Sequence, residues 1–311
     1  MTTFITKYRP RTFAEVVGQE TVVRSLQGAV KRGSSKTFLF TGPSGTGKTT
    51  LARIVAKEVG CLPADLLEID SATYTGIDDM RAVTASLLYK PLGEGSVKAI
   101  IIDEAQGLSK AAFQSLLKIL EEPPAHVFWF LCTTDPTRIP VTIHTRCTRY
   151  DLKAVSTSTL ALLLDDIAAK EKIFDGPQGA KVIDLCAQEA NGSPRQALTN
   201  LALCEGASTF AEAKELLRSA IESEEAITLV RALVRGAGWD EVQRLLNGLA
   251  GVNPESVRHV VRAYVSKMVL GAKSEQAAGR GLEILDAFSE PFNSSDGLAP
   301  LLLACGRVLL S

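Results

Sequence analysis

Read for hydrophobic pattern alone, the chain divides into two halves. Over residues 1–150, short β-branched or aromatic runs alternate with helical periods. The runs predict strands at Thr37–Thr41, Leu66–Asp70, Lys98–Ile102, Val127–Thr133 and Cys147–Leu152. Helices are expected between them, at Gln19–Arg32, Thr49–Val59, Ile77–Leu88 and Ser109–Glu122. Strands that alternate with helices of this length imply a parallel sheet with helices on its faces. Ala99-Ile-Ile-Ile102 and Val127-Phe-Trp-Phe-Leu131 are apolar without alternation. That fits strands covered on both faces.

After about Asp151 the strand pattern stops and helical spacing takes over, as in Leu160-x-x-Leu163-Leu164-x-x-Ile167. Gly- and Ser-rich breaks fall at Asp175-Gly-Pro177 and Asn191-Gly-Ser-Pro194. The tail predicts helices at Glu225–Arg235, Trp239–Leu249, Pro254–Leu270, Ala277–Ser289 and Leu298–Leu310. The expected division is 1–152 for an α/β domain, 153–221 for a helical lid and 222–311 for a helical collar.

One segment carries specific chemistry. Gly42-Pro-Ser-Gly-Thr-Gly-Lys-Thr49 satisfies G-x-x-x-x-G-K-[ST] between an expected strand and an expected helix. Glycines there let backbone N–H groups approach phosphates, and the positive end of the following helix faces the same anions. Lys48 is expected to neutralise the β- and γ-phosphates of ATP, and the Thr49 hydroxyl to bind Mg²⁺. Gly42, Gly45, Thr46, Gly47 and Thr50 complete the phosphate contacts. Downstream, Ala99-Ile-Ile-Ile-Asp103-Glu104 ends a buried strand in two carboxylates. Asp103 is expected to hold Mg²⁺ and Glu104 to polarise the attacking water.

Composition and charge add exclusions. The 311 residues are 46% hydrophobic and 22% charged, the profile of an ordinary globular chain with enough apolar material for more than one core. The six cysteines show no C-x-x-C pair, so no zinc site is expected, and reduced thiols fit a cytoplasmic location. No apolar run reaches the roughly 20 residues that span a bilayer, so neither a signal peptide nor a membrane partner is expected. Residues 1–150 hold 18 Lys+Arg against 14 Asp+Glu, and the remainder 16 against 21. The first half therefore permits a nucleic-acid surface.

Five motifs in order carry a resemblance: Lys7-Tyr-Arg-Pro-Arg-Thr-Phe-x-Glu-x-Val-x-Gly-Gln19, Asp103-Glu-Ala105, Cys132-Thr-Thr-Asp-Pro136, Thr145-Arg-Cys147 and Gly192-Ser-Pro-Arg195. Over about residues 4–200 the chain resembles the AAA+ sliding-clamp loader ATPases, a family that includes bacterial gamma/tau subunits, replication factor C small subunits and phage loaders. The resemblance implies a five-stranded AAA+ phosphate-loop domain followed by a lid and a collar. It also implies an ATP-hydrolysing motor that opens a ring clamp and places it on primer–template DNA, in a pentameric assembly with other loader subunits.

Site roles follow by the same resemblance. Tyr8, Arg9, Pro10 and Val17 would line the adenine pocket, and Thr134 would sense the γ-phosphate. Arg146 would act in trans on a neighbour's ATP, although the family usually has Ser-Arg-Cys where this chain has Thr145-Arg-Cys147. Arg195 would reach the phosphates from the lid; Ser193 and Pro194 mark the start of its helix. Gln114 would couple the ATP site to the DNA-facing helices. Thr75, Gly76, Arg81, Ser109 and Lys110 would contact the DNA backbone, and Leu87, Leu88 and Tyr89 the clamp. Only Gly60-Cys-Leu-Pro-Ala-Asp65 separates the phosphate-loop helix from the next strand, where gamma/tau subunits carry a zinc module. With the short chain, this leans toward a compact phage or replication-factor-C type. Three rivals stay open: a branch-migration or recombination motor, a non-catalytic loader subunit, and a protein-remodelling ring with Tyr74-Thr75-Gly76 as its aromatic loop.

Overall fold

The computed structural model describes residues 3–71, 76–87, 89–93, 97–174, 176–207, 209–272, 274–292 and 297–310, without the side chains of 221–223 and 310. The expected calls at Thr75 and Leu88, like the rival aromatic at Tyr74, lie outside the described residues.

Five strands form one parallel sheet: β1 Thr37–Thr41, β2 Cys61–Asp70, β3 Val97–Asp103, β4 Val127–Thr133 and β5 Thr148–Asp151. Their order across the sheet is β2-β3-β4-β1-β5. Register pairs Phe38 with Phe130, Phe40 with Cys132 and Ile101 with Phe130. Period-two alternation sends successive side chains to opposite faces, and both faces here are apolar. Phe38, Phe40, Ile101 and Phe130 pack on one face with Leu26 of α2 (Glu20–Arg32) and Leu51 and Val55 of α3 (Lys48–Glu58). Leu39, Ile100, Trp129 and Leu131 pack on the other with Met80 of α4 (Ile77–Ser86) and Phe113 and Leu116 of α5 (Lys110–Glu121). β2 is longer than expected because Leu66 is not its first residue; pairing begins at Cys61 and shifts register before Leu66.

Two short pieces complete the first half: α1, Phe4–Lys7, and α6, Val141–His144. The helices after β5 are α7 Thr157–Glu171, α8 Gly176–Gln188 and α9 Pro194–Cys204. They pack on one another, and α9 also contacts α1. Ser193 caps α9, its Oγ accepting from Gln196 N–H at 3.2 Å.

The chain separates into two compact units, residues 1–210 and 211–311. The second holds α10 Phe210–Val234, α11 Trp239–Gly248, α12 Pro254–Leu270, α13 Glu275–Ala287 and α14 Ala299–Leu310, around a core that includes Leu229, Leu246, Val261, Ile284 and Leu301. α10 starts well before the expected Glu225 and runs through the expected division at 221/222. Residues 211–224 are strong helix formers with no Gly or Pro to break them, although their apolar period is weak. The finer division into 1–152, 153–221 and 222–311 stays a proposal.

Phe130 stacks on Phe38 with ring centroids 5.2 Å apart and touches Phe40 at 6.4 Å, directly beneath the helix that carries Lys48. Phe130→Ala is expected to cost about 3–5 kcal/mol, from lost burial plus the cavity left behind. Urea denaturation followed by the fluorescence of fully buried Trp129 measures it.

Candidate functional site: a nucleotide cleft at the carboxyl edge of the sheet

β1, β3 and β4 end side by side, and the loops that leave them converge at their carboxyl ends, where open parallel sheets bind ligands. Residues 42–47 turn from β1 into α3. Gly42 has φ +138°, and a Cβ there would collide with the Leu152 carbonyl. Gly45 has φ +73°, and a Cβ there would meet the Ser193 hydroxyl. This loop position thus needs glycine because the start of α9 approaches so closely: Arg195 N–H donates to Gly45 O at 3.5 Å.

Lys48 is 6% exposed. Its Nζ donates to the carbonyls of Gly42 and Pro43, each at 2.9 Å. Burial lowers its pKa, opposed by the negative charges of Glu104 and Asp103. A cation in this setting lacks a full counter-charge, which an incoming phosphate supplies. Thr49 Oγ1 donates to Asp103 Oδ2 at 2.8 Å. A hydroxyl and a carboxylate oxygen this close are hard-oxygen donors that suit Mg²⁺, which takes few protein ligands and completes its shell with water and phosphate. Thr46 Oγ1 donates to Pro43 O at 2.8 Å and braces the loop.

Glu104 follows β3 in the left-handed region, at φ +48°. Its Oε2 accepts from Thr134 Oγ1 at 3.0 Å and from Gln106 Nε2 at 2.6 Å. Thr134 is therefore within hydrogen-bond reach of the expected water-polarising group.

The cleft encloses about 940 Å³, its open mouth included. Tyr8, Arg9, Pro10 and Val17 line it together with Gly45, Thr46, Gly47, Lys48, Thr49, Thr50, Asp103, Glu104 and Arg195. Gly42 lies behind it, contributing its carbonyl to Lys48. The amino-terminal segment is pinned at both ends. Gln19 is 4% exposed; its Nε2 donates to Lys153 O at 2.7 Å, and its Oε1 accepts from Lys153 N–H at 3.3 Å. Tyr8 Oη donates to Glu171 at the end of α7, and Lys7 Nζ pairs with the same carboxylate at 2.6 Å. The Lys7 and Tyr8 bonds hold the Glu171 pKa below its ordinary value. The Glu171 bond raises that of Lys7. Burial, then the Glu171 bond, raises that of Tyr8.

Sequence reasoning missed Glu171 and Gln106, and also Leu163 of α7 and Leu198 of α9, which line the cleft beside Tyr8 and Val17. The leucines read as ordinary helical core. Gln106 offered only its place two residues after Glu104.

Other expected residues lie elsewhere. Arg146 borders a separate polar groove with Lys36, Thr37, Glu121 and Thr145. Its Nε and Nη2 donate to Glu121 Oε2 at 3.0 and 2.8 Å, and its Nη1 donates to Thr142 O at 2.8 Å. Gln114 is exposed on α5 and borders an apolar groove with Phe113, Leu117 and Val141. Leu87 is corrected: at 2% exposure it packs with Met80 and Leu116 in the sheet core, because its place just after α4 turns it inward. It cannot form part of an exposed tip, whereas Tyr89 is 74% exposed. At the start of α4 the Gly76 N–H is taken by Asp79 Oδ2 at 3.1 Å, and Arg81 pairs with Asp78 at 3.2 Å. Two carboxylates in that first turn oppose a nucleic-acid phosphate. Ser109 caps α5, whose first turn has no acid and carries exposed Lys110. Of the two helix starts, that of α5 is the better suited to DNA.

A family model described as DNA polymerase III, delta subunit matches residues 64–156. The chain is 33% identical over 307 residues to the DNA polymerase III subunit tau of Salmonella typhimurium, covering 90% of this chain and 47% of that protein. It is 36% identical over 216 residues to the Bacillus subtilis tau subunit, covering 62% of this chain and 38% of that protein. The chain thus spans about half the length, or less, of these relatives. Among solved structures, the Thermotoga maritima RuvB Holliday junction branch migration motor superposes with a TM-score of 0.56 at 20% identity, covering 86% of this chain and 94% of that one. That likeness concerns the fold alone. These relatives are bacterial tau subunits, which moves the reading away from a phage or replication-factor-C type. As in the sequence, only Val59 and Gly60 lie between α3 and β2.

The Lys7–Glu171–Tyr8 clasp has a defined pH window. A depressed carboxylate contributes stability above its ordinary value of 4.5 and loses it as pH falls through the lower folded value. A raised lysine contributes below 10.5 and loses it as pH rises through the higher folded value. Glu171→Gln is expected to be less stable than the parent at pH 7. The difference should vanish as pH falls below the Glu171 value, read as paired urea midpoints across pH. Identity to tau subunits over most of this chain supports a gamma/tau-like clamp-loader ATPase, and the RuvB likeness supports the AAA+ fold.

Proposed function

We propose that this chain is the ATP-hydrolysing, Mg²⁺-dependent motor subunit of a DNA polymerase sliding-clamp loader, working in the bacterial cytoplasm. It would act with other loader subunits, in a pentameric assembly, to open a ring clamp and place it on primer–template DNA. The observation that carries this reading is the position of Arg146. It borders its own groove, whereas Lys48, Thr49, Asp103, Glu104 and Arg195 line the cleft. Tau-type identity and this arrangement together support a site completed by its neighbour.

In this reading the chain's residues divide the work. Backbone N–H groups of Gly45–Thr49 and Lys48 Nζ hold the β- and γ-phosphates. Tyr8, Val17 and Leu198 enclose the base. Thr49 and Asp103 would hold Mg²⁺, which would supply Lewis-acid neutralisation of phosphate charge. Glu104 orients the water for in-line attack, and Thr134 and Arg195 stabilise charge on the transferred group. Arg146 leaves Glu121 and reaches the phosphates bound by the adjacent subunit. Hydrolysis then releases the loader and leaves the clamp closed on DNA. Ser109 and Lys110 approach the duplex backbone, and Tyr89 the clamp, with Gln114 linking α5 to the ATP site.

RuvB likeness favours a second reading, a branch-migration motor, but at 20% identity it reflects a shared fold. The intact Lys48, Thr49, Asp103 and Glu104 stand against a non-catalytic loader subunit.

ATP turnover is expected to rise on adding a sliding clamp and primed DNA, and not on adding a four-way junction. Arg146→Ala is expected to lower the stimulated rate by about 10³-fold or more, the scale of a trans arginine, while leaving ADP affinity unchanged. Unchanged stimulated turnover in Arg146→Ala would remove the trans assignment. Stimulation by the junction alone would replace the loader reading.

A further inference from the structure

Gln106 makes three side-chain hydrogen bonds beside the cleft, and the assigned machinery does not use it. It sits in the single 3-10 turn Ala105–Gly107 that follows Glu104. The two protons of its amide are both committed. Nε2 donates to Glu104 Oε2 at 2.6 Å and to Thr134 Oγ1 at 3.0 Å. Thr134 Oγ1 then passes its own proton to the same Glu104 oxygen at 3.0 Å. The three groups close a triangle.

The amide cannot turn over. Its Oε1 accepts from Thr133 Oγ1 at 2.6 Å, and Thr133 is fully buried. Asp135 N–H donates to that hydroxyl at 3.1 Å, so the hydroxyl proton is directed at Gln106. Backbone contacts set the turn itself: Gly107 N–H donates to Glu104 O at 2.8 Å, and Ser71 Oγ donates to the same carbonyl. A Cβ on Gly107 would press against Ser71 Oγ at 2.6 Å, so the turn closes only with glycine there.

We infer that Gln106 is a positioning residue for hydrolysis, which holds the Glu104 carboxylate and the Thr134 hydroxyl in one fixed pose. The inference rests on Glu104 being the group that orients the water. The triangle occupies Oε2 and leaves Oε1 without a hydrogen-bond partner among the described residues. Glu104 lines the cleft and Gln106 does not. One oxygen is anchored from behind, and the other is presented to the water. A neutral amide suits this task. One of its protons goes to the carboxylate and the other to Thr134, and neither brings the counter-charge that a lysine would. Thr134 is held in the same act, which ties the sensor to the water-orienting group before nucleotide arrives.

Two variants test it on the full chain, each assayed for ATP turnover and ADP affinity. Gln106→Leu keeps the volume and removes both donors. Turnover is expected to fall by about tenfold or more, on the scale of misplacing a general base, with ADP affinity unchanged. Gln106→Glu keeps the shape but replaces the donating amide with a carboxylate set against Glu104, and its turnover is expected to fall by at least as much, again with ADP affinity unchanged. Turnover of either variant within twofold of the parent would overturn the assignment. So would a fall in ADP affinity matching the fall in turnover, which would mean general loss of structure. Glu104→Gln, run alongside, separates the two levels. If it turns over ATP like the parent, Glu104 itself is misassigned; if it is inactive while Gln106→Leu is not, only the role of Gln106 fails.

Discussion

A lysine cation held almost out of water by two backbone carbonyls is the constraint around which this fold is arranged. Lys48 can occupy that position only because the loop before it turns through glycines, and because β1 lies between β4 and β5 with its carboxyl end open. Burial works against the charge, and Asp103 and Glu104 at the end of β3 work for it. The balance is incomplete without an anion, so the apo site is built to receive phosphate. The stacked Phe38, Phe40, Phe130 and Tyr150 below the helix give this poised arrangement a rigid floor.

Around that centre the groups that act on nucleotide fall into three sets with different supports. The phosphate loop and Asp103 belong to the sheet. Tyr8 and Arg195 come from a segment and a lid that meet through Glu171 and the α1–α9 packing. Arg146 belongs to neither, and its guanidinium is held by Glu121 and Thr142 in a groove of its own. Under the proposed function, a site divided in this way would bind nucleotide alone and be completed only by a second surface, so that hydrolysis would depend on assembly.

The helix starts that could face DNA are not equivalent, for electrostatic reasons. α4 opens with Asp78 and Asp79, which already use the Gly76 N–H and Arg81. α5 opens with Ser109 and Lys110 and no acid. The helix dipole favours anions at both, but only at α5 do the side chains agree with it.

Strand–helix alternation, apolar runs without alternation and the spacing of Gly42 to Thr49 determined the sheet, its two covered faces and the phosphate loop, because each rests on contacts between near neighbours in sequence. The Asp103-Glu104 pair was legible for the same reason: it ends a strand whose apolar run is unmistakable. Adjacent residues with the same local signals were sorted by tertiary structure alone. Leu87 and Tyr89 sit two apart at the end of one helix, yet packing against Met80 buries the first and leaves the second exposed. Gln106 and Gln114 lie eight residues apart, and the sequence offered Gln114 as the coupling residue. The one that touches Glu104 is Gln106, because β4 runs beside β3 and brings Thr133 and Thr134 up to it. Glu171 reached Tyr8 across 163 residues through the folding of the lid onto the amino-terminal segment. Local pattern carries the period of each element and the backbone needs of its loops. Which side chains share a hydrogen bond is decided by strand order and helix docking, whose information is spread over the whole chain.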